Sequence, residues 1–135
     1  MLDTDTSSYV IRGQSPHLDA NLARVPVASV CVSTVTRAEL RFGVRRLMPH
    51  AHRLAAEVER FLCGIRTLAW DEAAADAFAR VRSRLEAKGR PIGVMDMMIA
   101  AHALAASAVL VTNNTRHFSR VTRLVAENWL KEESR

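Results

Sequence analysis

Short apolar runs alternate with longer segments of helical periodicity along the 135 residues. This alternation is typical of a parallel sheet that is covered by helices. The predicted strands are residues 1–3, 28–32, 67–69, 109–111 and, at an edge of the sheet, 123–126. The predicted helices are 4–12, 16–24, 34–46, 49–63, 72–88 and 95–106, followed by a polar loop with a short helical turn at 112–118. No internal repeat or linker interrupts the pattern, so we predict one domain over 1–130 and a solvated tail over 131–135.

Capping residues mark the ends of several of these helices. Ser33 or Thr34 can cap the helix that follows the second strand. Asp71 is a good N-cap for the longest helix, and Gly89 marks its end. The helix near residues 95–106 is apolar nearly all round, which predicts a buried position in the core.

Composition places the chain among globular proteins and gives it a basic balance. Hydrophobic residues make up 49% and charged residues 24%, which excludes disorder for the body of the chain. Nineteen Lys and Arg oppose fourteen Asp and Glu, and all but two of these cations are arginine. Because the guanidinium is a permanently charged, forked donor, this excess indicates phosphate or carboxylate partners.

Membrane and export signals are missing from the pattern. The apolar stretch after Asp96 is interrupted by His102 and Ser107 and is too short to span a bilayer. The first residues lead directly into Asp3, with no basic segment and no apolar segment of a signal peptide. The two cysteines are too few for a disulfide scaffold and lack zinc spacing. We therefore expect a cytoplasmic protein.

Polar side chains follow the predicted strands at one edge of the sheet, where ligands bind in open parallel sheets. Asp3 and Asp5 follow the first strand, and Glu39 lies in the helix after the second. Asp96 begins the helix that leads into the fourth strand, and Asn114 follows that strand. Carboxylate and amide oxygens without Cys or His suit Mg²⁺ or Mn²⁺ and not zinc.

Each of these residues also has an ordinary structural explanation. Asp96 could cap its helix, where the helix dipole favours a negative charge. Asp3 could be a turn residue, and Glu39 a solvated helix residue. Glu39 nevertheless shares its helix face with Gly43 and Arg46, away from the arginine stripe of the same helix. Only the joint position of the acidic residues favours a site.

The residues around these positions resemble the motifs of the PIN domain family. The matching segments, in order, are MLDTDTSSYVI, TRAELRFG, IGVMDMMIAAHAL and LVTNNTRHF. Their order and spacing are similar to those of VapC-type toxins of bacterial toxin-antitoxin pairs, and the ending LVAENWL is similar to the last strand of one subgroup. Each motif is short, but together they cover essentially the whole chain.

The resemblance implies a PIN-like three-layer α/β/α sandwich with a mainly parallel central sheet. It also implies a Mg²⁺- or Mn²⁺-dependent ribonuclease site in which Asp3, Glu39 and Asp96 occupy the acidic positions. Asp3 and Asp96 are the expected metal ligands. Asn114 falls where many relatives have a fourth Asp, and Thr112 matches a threonine that lies beside the site in relatives.

Two departures from the family pattern concern charge. Asn114 removes one negative charge and should weaken a second metal site, although an amide oxygen can still bind a metal or position a water. Asp5 stands where relatives often carry a neutral polar residue, so it adds a carboxylate back as an additional site residue.

The function that the resemblance implies is an endoribonuclease toxin that hydrolyses RNA, with tRNA as one candidate substrate, by a metal-activated water. Its expected partners are a VapB-type antitoxin and a second copy of the chain. Arg46, Arg82 and Arg116 are candidates for binding RNA phosphates, although most such arginines belong to ordinary solvated helix faces. Two alternatives stay open: a catalytically weak PIN-fold module that binds RNA or regulates, and a basic α/β protein that pairs with an acidic partner.

Overall fold

The computed structural model describes residues 1–131, so the predicted tail at 131–135 lies outside the described residues except for Lys131. The helices are α1 Thr4–Arg12, α2 Pro16–Ala23, α3 Thr34–Leu47, α4 His52–Gly64, α5 Glu72–Ala87, α6 Val94–Ala105 and α7 Thr115–Phe118. The strands are β1 Cys31–Ser33, β2 Arg66–Leu68, β3 Leu110–Val111 and β4 Ala126–Glu127.

The first residues of the chain form the middle of the sheet. β1 pairs with β2 and β3 pairs with β4, both in parallel. Leu2 forms parallel bridges to Val32 on one side and to Val111 on the other. The Leu2 N–H donates to the Cys31 carbonyl at 2.8 Å, and the Asp3 N–H donates to the Val111 carbonyl at 3.1 Å. The sheet therefore runs β2, β1, the N-terminal segment, β3, β4.

Side chains of the central strands alternate between two apolar clusters, as the two-residue repeat of a strand requires. Met1, Cys31 and Leu110 join a cluster with residues of α5 and α6. Leu2, Val32 and Val111 join a second cluster, which includes residues of α1, α2 and α4. Helices therefore cover both faces of the sheet, and the predicted three-layer α/β/α sandwich with a parallel sheet is confirmed.

Helix α6 is the central helix of the core. Ile99, Ala100, Ala101 and Ala103 have no exposed surface, which confirms the burial predicted from the all-round apolar pattern. It packs closely against α5, whose small Ala74 and Ala77 are buried. Among the described residues, no helix is long and apolar enough to cross a membrane.

Two predicted helix caps are present in the structure. The Ser33 hydroxyl accepts the Val35 N–H at 3.0 Å, so Ser33 and not Thr34 caps α3. Asp71 Oδ1 accepts the Ala74 N–H at 3.0 Å at the start of α5. These bonds satisfy backbone donors that the first helical turn leaves unpaired.

The second predicted strand is displaced. Residues 27–29 form a turn of 3₁₀-helix, and β1 begins only at Cys31. The Pro26 carbonyl accepts the N–H of Ser29 at 2.9 Å and its hydroxyl at 2.7 Å, which closes the turn before the chain can extend. The short Ser side chain competes with strand formation in this way.

Three other boundaries also differ from the prediction. Helix α4 begins at His52, because Ala51 accepts the first helical bond and residues 48–50 still belong to the turn that ends α3. Strand β2 starts at Arg66, where it comes into register with β1. Strand β4 is confined to Ala126–Glu127, since Arg123 has a left-handed backbone with φ 69° that no strand residue adopts.

We expect Leu110→Ala, at a fully buried position, to lower the free energy of unfolding by about 2–5 kcal/mol, because it leaves a cavity in the core. Val125→Ala is the matched control, since Val125 is 57% exposed and its truncation should change stability by less than about 0.5 kcal/mol. Urea unfolding measures both values. Equal losses for the two variants would contradict the assigned core.

Candidate active site

Several acidic residues from separate parts of the chain meet at the carboxyl edge of the sheet. The pKa of the Asp96 carboxyl indicates this. Burial raises that pKa most, the negative charges of Asp3 and Glu39 raise it further, and Asp5 adds a smaller contribution. His117 lowers the same pKa because it supplies the opposite charge. Asp3, Glu39 and Asp5 are therefore near enough to Asp96 to influence its charge, and their role as one site stays a prediction.

Asp3 is held at the start of α1. Its Oδ1 accepts the Thr6 N–H at 2.8 Å, so the carboxylate is the N-cap of that helix. The residue is only 4% exposed, and burial raises its pKa. Hydrogen bonds from Thr112 and Thr6 act in the opposite direction on this pKa. Thr112 therefore lies near enough to the Asp3 carboxylate to lower its pKa.

Glu39 is held in place by a neighbour from another helix. The Thr4 hydroxyl of α1 donates to Glu39 Oε1 at 2.6 Å and lies 3.3 Å from the Thr36 hydroxyl of α3. The half-buried Glu39 is therefore more than a solvated helix residue. Sequence reasoning missed Thr4, although its position directly after Asp3 was an available signal.

Asp96 does not cap its helix. The N-cap of α6 is Gly93, and no side chain makes a capping hydrogen bond at this helix start. Asp96 lies within the first turn. The carboxylate lies near this glycine: a Cβ added to Gly93 would stand 3.9 Å from Asp96 Oδ2. The capping interpretation is wrong, and the helix dipole still favours a negative charge at this position.

Asn114 is hydrogen-bonded to His117, a residue near enough to Asp96 to influence its pKa. Its side-chain nitrogen lies 2.7 Å from His117 Nδ1, and its N–H donates to the Thr112 hydroxyl at 2.9 Å. This bond uses the amide nitrogen, so the amide oxygen of Asn114 does not take part in it. The sequence analysis assigned His117 no role, although its spacing of three from Asn114 was an available signal.

Residues 1–124 match the family model of the PIN domain. The chain belongs to the PIN domain family.

Relatives of this PIN chain match it over nearly their whole length. The tRNA(fMet)-specific endonuclease VapC of Shigella flexneri is 36% identical over 129 residues, 96% of each protein. A chain of the DNA-bound VapBC structure from Salmonella typhimurium superposes with a TM-score of 0.89 at 34% identity, covering 96% of each chain. A chain of the promoter-bound VapBC2 structure from Rickettsia felis gives 0.87 at 31% identity, covering 96% of this chain and 97% of its own.

A buried histidine connects two of the helices that carry the acidic residues of the PIN site. His102 of α6 lies with Nδ1 2.7 Å from the Ser33 hydroxyl, the group that caps α3. Burial lowers the pKa of His102, while Asp71 and the Ala69 backbone oppose that shift. A neutral imidazole that accepts from Ser33 ties the helix carrying Asp96 to the helix carrying Glu39. Neither His102 nor Ser33 was predicted in this role.

The predicted RNA-binding arginines lie at different places. Arg46 stacks over the Phe42 ring at 6.0 Å and lines a groove beside Glu39. Arg116 is exposed on α7, in the same short helix as His117. Arg82 is exposed on α5 and forms an ion pair with Glu86 at 2.9 Å. The structure thus places Arg46 and Arg116 on elements that contribute to the site, whereas Arg82 is on a helix that contributes no acidic residue.

The donor set of the PIN site fits a hard divalent cation. The repulsion that raises the pKa of Asp96 would be relieved by a cation between Asp3 and Asp96. Among residues 1–131, no group of three or more His, Cys, Asp or Glu side chains is arranged so that it could hold a metal ion, which limits the protein ligands to fewer than three such side chains. Mg²⁺ commonly binds through one or two carboxylates and completes its shell with water and substrate oxygens, which suits this arrangement. PIN nucleases in general depend on a divalent metal.

We expect Asp96→Asn to stabilise the chain at pH 7 in EDTA. The raised pKa means that the folded state holds the Asp96 proton more tightly than the unfolded state, so ionisation costs folding free energy. This cost in folding free energy is absent at a pH below 3.8, the ordinary pKa of an aspartate. It appears as the pH rises through the folded-state pKa of Asp96. The gain in unfolding free energy should therefore vanish at low pH.

The control for this measurement is Asp76→Asn, at an exposed position of α5. Urea unfolding of both variants over a pH series should show a pH-dependent gain only for Asp96→Asn. A loss of stability at pH 7, or the same pH dependence in both variants, would contradict the electrostatic coupling.

Proposed function

We propose that this PIN protein is a divalent-metal-dependent endoribonuclease and the toxin of a toxin-antitoxin pair. The observations that carry the proposal are the Thr4–Glu39 hydrogen bond at 2.6 Å, which joins Glu39 to the residue after Asp3, and the effect of Asp3 and Glu39 on the pKa of Asp96. The similarity of the chain to relatives named ribonuclease or endonuclease VapC supports RNA as the substrate. A tRNA is the substrate class that the names of two relatives favour.

The metal is Mg²⁺ or Mn²⁺, held by Asp3 and Asp96. When bound, such an ion would act as a Lewis acid and lower the pKa of a water bound to it, so that a nucleophile is available at neutral pH. The oxygen ligands and the absence of Cys and His from the expected ligand pair favour these ions over zinc.

The chain's own residues orient the hydrolysis. Glu39 is fixed through Oε1 by the Thr4 hydroxyl, so Oε2 can accept a hydrogen bond from the attacking water. Asn114, held by His117 through its amide nitrogen, offers its oxygen to a water or substrate group. Attack in line with the leaving oxygen would give products with a 5′-phosphate and a 3′-hydroxyl.

Two alternatives have less support. A catalytically weak RNA-binding or regulatory module would follow from the neutral Asn114, but three coupled carboxylates still surround the site. A basic α/β protein that merely pairs with an acidic partner requires that Asp3, Glu39 and Asp96 lie apart. Their mutual effect on the pKa of Asp96 argues against that arrangement.

The proposed protein partners are a VapB-type antitoxin and a second copy of the chain. Structures named VapBC include chains similar to this one. An apolar groove of about 250 Å³, lined by Leu22, Val27 and Phe61, suits an apolar face of the antitoxin. The exposed Phe42 and Leu47 of α3 suit a dimer contact. A cytoplasmic location stays a prediction.

We expect the purified protein to cleave tRNA in the presence of Mg²⁺ or Mn²⁺, and we expect this cleavage to stop when EDTA removes the metal. Asp96→Asn should lower the rate at least about 100-fold, a common cost of removing one group from the catalytic chemistry. Gel analysis of end-labelled tRNA measures the cleavage rate and the product ends.

Asp76→Asn is the matched control and should keep the wild-type rate, because this exposed aspartate of α5 is not among the groups that perturb the site. Cleavage that survives EDTA, or an unchanged rate in Asp96→Asn, would overturn the proposed function.

A further inference from the structure

A second cavity, outside the acidic cluster, lies between α5, the end of α6 and residues 120–123. Its volume is about 300 Å³. Arginines of two walls surround it, Arg80 and Arg84 from α5 and Arg120 and Arg123 from the segment after α7. Val81 and Leu85 contribute apolar surface to the lining. We call this cavity the arginine groove.

The sequence of α5 explains the first wall. Arg80 and Arg84 are one helical turn apart and therefore lie on the same side of the helix. The next residues, Val81 and Leu85, are buried against the core and form the base beside them. Arg82 lies about 200° around the helix from Arg80, where it pairs with Glu86 instead.

The charge of the arginine groove is not neutralised within residues 1–131. The ion pairs of this part of the chain involve Arg41, Arg53 and Arg82, and none of the groove arginines. Arg120 donates to the Pro91 carbonyl at 3.3 Å, a neutral partner. Guanidinium groups gathered around one cavity repel each other, so an anion between them would be bound favourably.

The position of the groove relates it to the acidic cluster. Helix α6 carries Asp96 in its first turn and Leu104, a lining residue of the groove, near its end. These residues are about 12 Å apart along the helix axis at 1.5 Å per residue. A helical nucleic-acid strand rises about 3.4 Å per nucleotide, so the separation corresponds to about four nucleotides.

We propose that the arginine groove binds the phosphates of the RNA substrate a few nucleotides from the scissile bond. The proposal rests on the proposed ribonuclease function for the identity of its ligand. Forked guanidinium groups match phosphate oxygens, and the apolar base of the groove suits a ribose or an unstacked base. RNA is favoured over an acidic peptide because the proposed ribonuclease already takes RNA as its substrate.

The test compares two variants that lose the same charge. Arg84→Gln/Arg123→Gln removes one guanidinium from each wall of the groove. Arg24→Gln/Arg66→Gln removes two exposed arginines that lie outside it. The probe is a fluorescein-labelled single-stranded RNA of about twenty nucleotides, long enough at about 3.4 Å per nucleotide to cover both sites. Its binding is followed by anisotropy in EDTA over a salt series.

We expect the groove variant to bind this RNA about ten-fold more weakly at 0.1 M salt, with a log–log salt slope shallower by about 1.4 because two phosphate contacts are lost. The control variant should change affinity much less. Arg84→Lys/Arg123→Lys keeps the charges and should recover most of the salt slope, which separates a binding defect from a folding defect.

Cleavage measured separately in Mg²⁺ distinguishes this proposal from the proposed function. If no cleavage occurs but only the groove variant loses RNA affinity, the ribonuclease assignment fails and the groove stands. Equal affinities for the groove and control variants would overturn the groove. Unchanged RNA binding combined with lost binding of a polyglutamate peptide would also overturn it, in favour of an acidic protein partner.

Discussion

The buried N-terminal segment, residues 1–3, is the constraint on which the rest of the structure depends. Leu2 is bridged to β1 on one side and to β3 on the other, and it joins the two pairs of strands into one sheet. Because Leu2 is central in the sheet, the next residue, Asp3, reaches the carboxyl edge while it is still almost fully buried. The same short segment therefore completes the core and places the first carboxylate of the site.

Burying that carboxylate has an energetic consequence that organises the site. Loss of hydration raises the pKa of Asp3, and the charge of Asp3 in turn raises the pKa of Asp96. Hydrogen bonds partly offset this cost. The Thr6 N–H donates to Asp3 and the Thr4 hydroxyl donates to Glu39, and both bonds fix a carboxylate in place without neutralising its charge. The net charge of +5 thus conceals a local group of negative charges that suits a cation, while the excess of arginine elsewhere suits phosphates.

Sequence reasoning succeeded where structure depends on local signals or on the topology of the sheet. The caps Ser33 and Asp71 and the burial of α6 follow from neighbouring residues, and parallel strands necessarily bring their carboxyl ends together. The short outer strands were misplaced because their pairing partners determine their bounds. Thr4 and His117 were missed, since their roles exist only through contacts with Glu39 and Asn114 across separate segments.

The central claim is that the buried carboxylates form a metal site at the carboxyl edge of the sheet. Crystals of the protein soaked in Mn²⁺, measured by anomalous diffraction, test it most directly. An ion bound to the carboxylates of both Asp3 and Asp96, at roughly 2.0–2.5 Å from their oxygens, is the predicted result. Mn²⁺ sites elsewhere on the protein, with none between these two residues, would contradict the claim.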